Sequence, residues 1–152
     1  MNLEINKKNT IHFIGIGGIG MSGIALIMKN LGYNIQGSDL VKSSRVINYL
    51  KKNRIKIFHN HNSREILKAD IVVTSTAIKK FNKEFQLAKK NNLIIVKRAD
   101  MLAHLLNLKK NIIISGSHGK TTITSLIANL LTVNTFSPTR RRSGRRRRRS
   151  ST

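Results

Sequence analysis

The stretch FIGIGGIGMSG at positions 13–23 constrains what this chain can fold into more than any other part of it. It holds five of the chain's ten glycines, follows an apolar run that begins at Ile11, and leads into a helical pattern. Gly15, Gly17 and Gly20 fit G-x-G-x-x-G, where missing side chains permit a tight turn, close approach of backbone to a pyrophosphate, and close packing of helix on strand. A helix opening just beyond presents free N–H groups and the positive end of its dipole to an anion. The hexapeptide by itself is a weak signal, because glycines also cluster without a function. Its meaning depends on the elements around it.

Those elements alternate. Residues 11–16 read as a buried strand, 21–31 as a helix with Gly32 as its C-cap, and 33–37 as a second strand ending at Ser38 and Asp39. Asp39 lies nineteen residues after Gly20, where a doubly wound fold places an acid within reach of a ribose hydroxyl. The alternative is a turn aspartate that caps the next helix. Ser43 or Ser44 can cap a helix running to about residue 53, with Val46, Ile47 and Leu50 at helical spacing, and residues 55–58 form a third strand. A short helix over 63–69 precedes a buried strand at 70–73. Ligands bind at the carboxyl ends of strands in open α/β sheets, so the hydroxyls of Ser75 and Thr76 are candidate phosphate contacts, with a plain turn as the alternative. Asn82 can cap a helix to about residue 91, residues 93–96 are a fifth strand, and 99–106 another helix. The alternation predicts an α/β fold: a Rossmann-like, doubly wound parallel sheet with right-handed crossovers.

Composition excludes several classes. The 152 residues include no cysteine, which removes disulfide frameworks and thiolate metal sites and is compatible with a reducing cytoplasm. Residues 9–28 are uncharged, but their five glycines and the lack of an A-x-A pattern argue against a signal peptide or a membrane span. The net charge of +23 suggests a nucleic-acid partner. Its distribution argues otherwise, since eight of twelve arginines lie within residues 140–152, while the body is rich in Ile, Asn and Lys. That switch reads as a change of coding register or a terminal scar, and no specific nucleic acid is expected. His59 and His61 have metal-like spacing without an evident third ligand, which reads as a polar loop.

A second glycine loop follows. Residues 112–114 read as a sixth apolar strand, and SGSHGKTT at 115–122 leads directly into a helix to about residue 131. Strand, glycine turn, G-K-T and helix make a phosphate loop: backbone N–H groups from Gly116 through Ser117, His118 and Gly119 to Lys120 cradle phosphates. On this reading Lys120 would neutralise the β and γ oxygens and the Thr121 hydroxyl would bind Mg2+; the alternative is a lysine that is merely a solvated first-turn residue. The general pattern places glycine at position 114, where this chain has Ile114; the loop is a shorter G-x-x-G-K-T form.

The pair of loops resembles the Mur ligases, whose ATP loop has a shortened G-T-x-G-K-T form. Residues 12–25, 37–40, 75–78, 98–102 and 116–122 are similar to motifs of that family, within a likeness spanning about 10–133. The resemblance implies three domains, binding the UDP-sugar, ATP and the amino acid in turn. It implies that Gly15, Gly17, Gly18, Gly20, Met21 and Ser22 hold the diphosphate of UDP-N-acetylmuramate, with Asp39, Ser75, Thr76 and Ala77 nearby. It further implies that Gly116, Ser117, His118, Gly119, Lys120, Thr121 and Thr122 bind ATP, that Lys120 and Thr121 take part in catalysis, and that Thr121 belongs to a partial Mg2+ site. ATP would phosphorylate the lactyl carboxylate, and the amine of L-alanine would attack the acyl phosphate, in cytoplasmic peptidoglycan synthesis serving cell shape and division.

The chain departs from the family pattern at Ser117, where Thr is usual, at Lys83, where Pro is usual, and at Asn60, where Gly is common. The likeness stops soon after Leu131. The expectation is therefore a UDP-sugar-binding domain at 1–107, the start of a central ATP-binding domain at 108–135, and a disordered, non-native Arg/Ser-rich tail at 136–152, with no ligase activity from the chain alone. A nicotinamide-dependent dehydrogenase would account for the first loop and Asp39 but not the second. A polyanion binder would account only for the tail.

Overall fold

The computed structural model describes residues 5–60, 64–108 and 110–135. The chain divides into two compact units, Met1–Lys110 and Asn111–Thr152. The Arg/Ser-rich tail and His61 lie outside the described residues.

The first unit is a five-stranded parallel sheet in the order β3-β2-β1-β4-β5, with β1 (Thr10–Ile14) at its centre. Around it run α1 (Ile19–Asn30), β2 (Asn34–Ser38), α2 (Arg45–Lys52), β3 (Lys56–Phe58), a 3-10 helix (Arg64–Lys68), β4 (Ile71–Thr74), α3 (Lys83–Lys90), β5 (Ile94–Lys97) and α4 (Arg98–Leu108). The register sets Ile11 opposite Ile35 and Ile71, and Phe13 opposite Gly37 and Val73. Alternate strand residues face opposite layers. Ile11, Phe13, Ile35, Ile71 and Val73 join Met21, Ile24 and Met28 of α1, Ile47 and Leu50 of α2, and Met101 and Leu105 of α4 in one cluster. On the other face Ile14 and Val72 join Ile66 and Ala88. Helices on both faces explain why the strands read as continuous apolar runs. The second face has a polar exception: His12, Gln36 and Ser38 are buried there.

Local signals acted much as their chemistry requires. Ser44 is the N-cap of α2, its hydroxyl accepting the N–H of Ile47, and Asn82 caps α3 by accepting the N–H of Phe85. Gly32 takes φ +91 just after the last turn of α1, where Tyr33 N–H donates to Met28 O at 3.1 Å and Gly32 N–H to Lys29 O at 3.0 Å. The third short helix is a single 3-10 turn rather than an α-helix.

In the second unit α5 (Lys120–Thr135) forms as a continuous helix, longer than expected. The sixth strand does not appear: residues 112–114 carry no strand, and Ile112 and Ile113 are exposed. A strand is defined by a ladder of N–H and C=O partners, and no neighbouring strand supplies one to this segment among the described residues.

Candidate functional site: two glycine loops

The first loop leaves the central strand at the point where the winding of the sheet reverses, between β1 and β4. There the flanking connections leave in opposite directions, and in open α/β sheets ligands bind at such a position, at the carboxyl ends of the strands. Gly15 takes φ +72 and begins the turn. The Ser38 carbonyl, at the end of β2, accepts the N–H groups of both Gly15 and Ile16, at 2.8 and 3.0 Å, and Gly18 N–H donates back to Gly15 O at 3.2 Å. Gly17 N–H donates to Asp39 Oδ2 at 2.8 Å, while Oδ1 of the same carboxylate accepts Val41 N–H at 2.9 Å. A Cβ on Gly17 would stand 2.7 Å from Asp39 Oδ2, so only glycine admits this carboxylate.

Gly18 precedes α1 in an extended conformation and offers no side-chain cap. The first N–H groups of a helix have no partner within it. Those of Ile19, Gly20 and Met21 have no acceptor among the described residues. Three open donors at the positive end of a twelve-residue helix form a place for an anion.

The other expected contacts fall into two groups. Ile78 Cδ1 lies 3.3 Å from where a Cβ on Gly15 would be, so the turn after β4 abuts the loop. In that turn Ser75 is half-buried and Thr76 and Ala77 are exposed, with Ile78 N–H donating to Ser75 O at 3.1 Å. The side chains of Met21 and Ser22, by contrast, are buried. Met21 packs in the core, and the Ser22 hydroxyl donates to Ile19 O at 3.0 Å while its N–H is taken by Gly18 O. Met21 can therefore reach a ligand only through its N–H. Asp39 does not cap α2, which Ser44 does; its carboxylate braces the loop.

Arg98, which the sequence placed only within a motif, crosses the mouth of this site. Its Nη1 lies 3.2 Å and its Cδ 3.5 Å from where a Cβ on Gly20 would stand, so an exposed guanidinium overlies the start of α1. The signal was available in principle: Gly20 is followed by a helix that could have carried alanine, and a missing Cβ there implies that something passes close by. His59 is tied to the same region, its ring Nδ1 lying 3.3 Å from Asp39 O. No group of three or more metal-type side chains occurs among the described residues.

The second loop turns on two glycines ahead of a helix. Gly116 and Gly119 take φ +147 and +77, and α5 starts at Lys120 with Ile123 N–H donating to Gly119 O at 3.0 Å. The Lys120 ammonium donates to Gly116 O and, at 3.2 Å, to Ser117 O. Ser117, His118, Thr121 and Thr122 are exposed around it. The donor set suits a nucleotide phosphate: a lysine, glycine-turn N–H groups, and the Thr121 hydroxyl, a hard oxygen of the type Mg2+ prefers.

Residues 10–110 match the model of the Mur ligase family, catalytic domain. The chain belongs to the Mur ligase family. Among curated members of the family, the UDP-N-acetylmuramate--L-alanine ligase of Pelagibacter ubique is 52% identical over 139 residues, covering 91% of this chain and 30% of that protein. The crystal structure of the UDP-N-acetylmuramate-alanine ligase of Thermotoga maritima aligns with TM-score 0.74 at 32% identity, over 82% of this chain and 29% of the other. A Neisseria ligase named for UDP-N-acetylmuramate and L-alanyl-gamma-D-glutamyl-meso-diaminopimelate aligns with TM-score 0.73 at 27% identity, covering 81% of this chain and 39% of its own. The chain thus spans between 29% and 39% of the length of these family members.

Proposed function

We propose that this chain supplies the UDP-sugar site and the ATP loop of an enzyme that joins L-alanine to UDP-N-acetylmuramate, a step of peptidoglycan synthesis in the cytoplasm. The observation that carries the reading is the first loop: a glycine turn braced by Asp39, opening α1 with three unpaired N–H groups beneath Arg98. These donors suit the diphosphate of a nucleotide sugar, and the turn that carries the exposed Thr76 and Ala77 abuts the same loop through Ile78. The 52% identity with an alanine-adding ligase supports the choice among nucleotide-sugar substrates.

The chemistry follows from the poor electrophilicity of a carboxylate. ATP converts the lactyl carboxylate of the sugar into an acyl phosphate, whose phosphate then leaves when the alanine amine attacks. Lys120 offsets charge on the transferred phosphoryl group, and Gly116 to Gly119 hold it with backbone N–H groups. Mg2+, held in part by Thr121, adds charge neutralisation when bound. No helix of the described residues is long and apolar enough to cross a membrane.

By themselves the 152 residues bind the UDP-sugar without ligase turnover. Leu126 and Leu130 of α5 are exposed, so among the described residues no packed layer covers the helix that follows the second loop. Thermal melting tests the first part: UDP-N-acetylmuramate raises the midpoint and NAD(H) does not. The opposite pattern would replace the reading with a dehydrogenase one. Alanine-dependent release of phosphate from ATP by the purified chain would overturn the second part.

A further inference from the structure

Beneath the first loop, on the sheet face covered by α3, lies a chain of buried polar side chains that the proposed reaction does not use. The Ser38 hydroxyl donates to Glu84 Oε2. Glu84 Oε1 faces His12 Nε2 at 3.6 Å, with both side chains fully buried. His12 Nδ1 in turn lies 3.4 Å from Gln36 Nε2, which donates to Glu65 O at 3.0 Å.

The direction of this chain can be worked out. A backbone carbonyl only accepts, so the nitrogen of the Gln36 amide faces Glu65 O, and the same nitrogen offers its second hydrogen to His12 Nδ1. The other ring nitrogen, Nε2, faces Glu84 Oε1. The Ser38 hydroxyl and the His12 ring thus both meet the Glu84 carboxyl, which lies in the first turn of α3, where the helix dipole favours negative charge.

Burying a carboxyl is costly unless it is hydrogen-bonded and compensated. The residue that it grips is the one on which the glycine loop hangs. Ser38 O accepts both Gly15 and Ile16 N–H, and the next residue, Asp39, takes Gly17 N–H while its own N–H donates to Phe58 O at 2.9 Å. We propose that Glu84 is a positioning residue: through the Ser38 hydroxyl it fixes the end of β2, and thereby the conformation of the loop at residues 15–18. The inference rests on reading that loop as the diphosphate site only for its functional meaning.

Amide hydrogen exchange followed by NMR on the ligand-free 152-residue chain tests it. Ser38→Ala and Glu84→Leu each remove the link, and should speed exchange at Gly15 and Ile16 by about tenfold or more, leaving Leu50 in α2 within about twofold. Glu84→Gln keeps an oxygen for the Ser38 hydroxyl and should hold Gly15 and Ile16 within about threefold of the unsubstituted chain. Exchange at Gly15 and Ile16 that is unchanged in Ser38→Ala, or accelerated equally at Leu50, would overturn the proposal. UDP added to the unsubstituted chain tests the site separately. Absence of amide shifts from Gly15 to Met21 would remove the diphosphate reading and leave the exchange result standing.

Discussion

The two glycine loops share a design and differ in what holds them. Each pairs a left-handed glycine with the start of a helix. The first, at residues 15–18, is bonded to the end of β2 through Ser38 O and Asp39, is capped by nothing, and stands on a strand buried on both faces. The second, at 116–119, is bonded to its own lysine and lies among exposed residues. A glycine pattern sets which backbone angles are allowed. Neighbouring elements decide whether those angles are fixed.

The widest expected gap between the regions lies in their apolar residues. Leu50 is fully buried, so Leu50→Ala should lower unfolding free energy by about 3 kcal/mol. Leu126 is 57% exposed, so Leu126→Ala should change the same free energy, measured by denaturant unfolding, by no more than about 0.5 kcal/mol. Equal losses would show that α5 is packed as firmly as α2 and would erase the contrast.

Gly37→Ala comes next. The added Cβ would meet Phe13 O at 2.6 Å and Ile16 Cδ1 at 2.7 Å. Backbone cannot yield as a side chain can, so a loss of about 2 kcal/mol is expected in chemical denaturation. A smaller effect would mean that the end of β2 is less rigid than the bonds from Gly15 and Ile16 suggest.

Gly17→Ala sharpens the comparison at the site itself. Displacing Asp39 from the loop costs one charge-assisted hydrogen bond, worth about 1.5 kcal/mol, and should weaken UDP binding in a fluorescence or calorimetric titration by about tenfold. Undiminished affinity would show that Asp39 does not shape the site. Gly23→Ala has the smallest effect and the opposite sign. Nothing lies within 4 Å of a Cβ there, inside α1, so the change should raise stability by about 0.5–1 kcal/mol in the same denaturant assay.

Much of the first unit was legible because its signals are local. Ser44, Asn82 and Gly32 ended or began helices for reasons contained in a few residues, and the apolar runs matched a sheet covered on both sides. The sixth strand failed because a strand is not a local object. Three isoleucines at 112–114 carry the propensity, but the partners that would complete a ladder are not sequence neighbours. Of the candidate site, the position of the glycine turn was legible and the facing of its side chains was not. G-x-G-x-x-G marks where a turn falls but not which way Met21 and Ser22 face; helical phase puts both inward. The spacing that singled out Asp39 does not show its contact with the Gly17 N–H, which needs the end of β2 and the loop brought together. Arg98 and Glu84 reach this region from more than forty residues away, a distance over which pattern reading has no hold.

The bracing of Gly15, Ile16 and Gly17 by β2 has a consequence for binding thermodynamics. A loop already fixed by three hydrogen bonds has little conformational entropy left to lose when an anion arrives. Association at the first loop should therefore be close to rigid docking, with a favourable enthalpy, a small heat-capacity change and a rate set by encounter. A phosphate taken up by the second loop as proposed would first have to draw Lys120 away from the carbonyls of Gly116 and Ser117, which would lower its affinity.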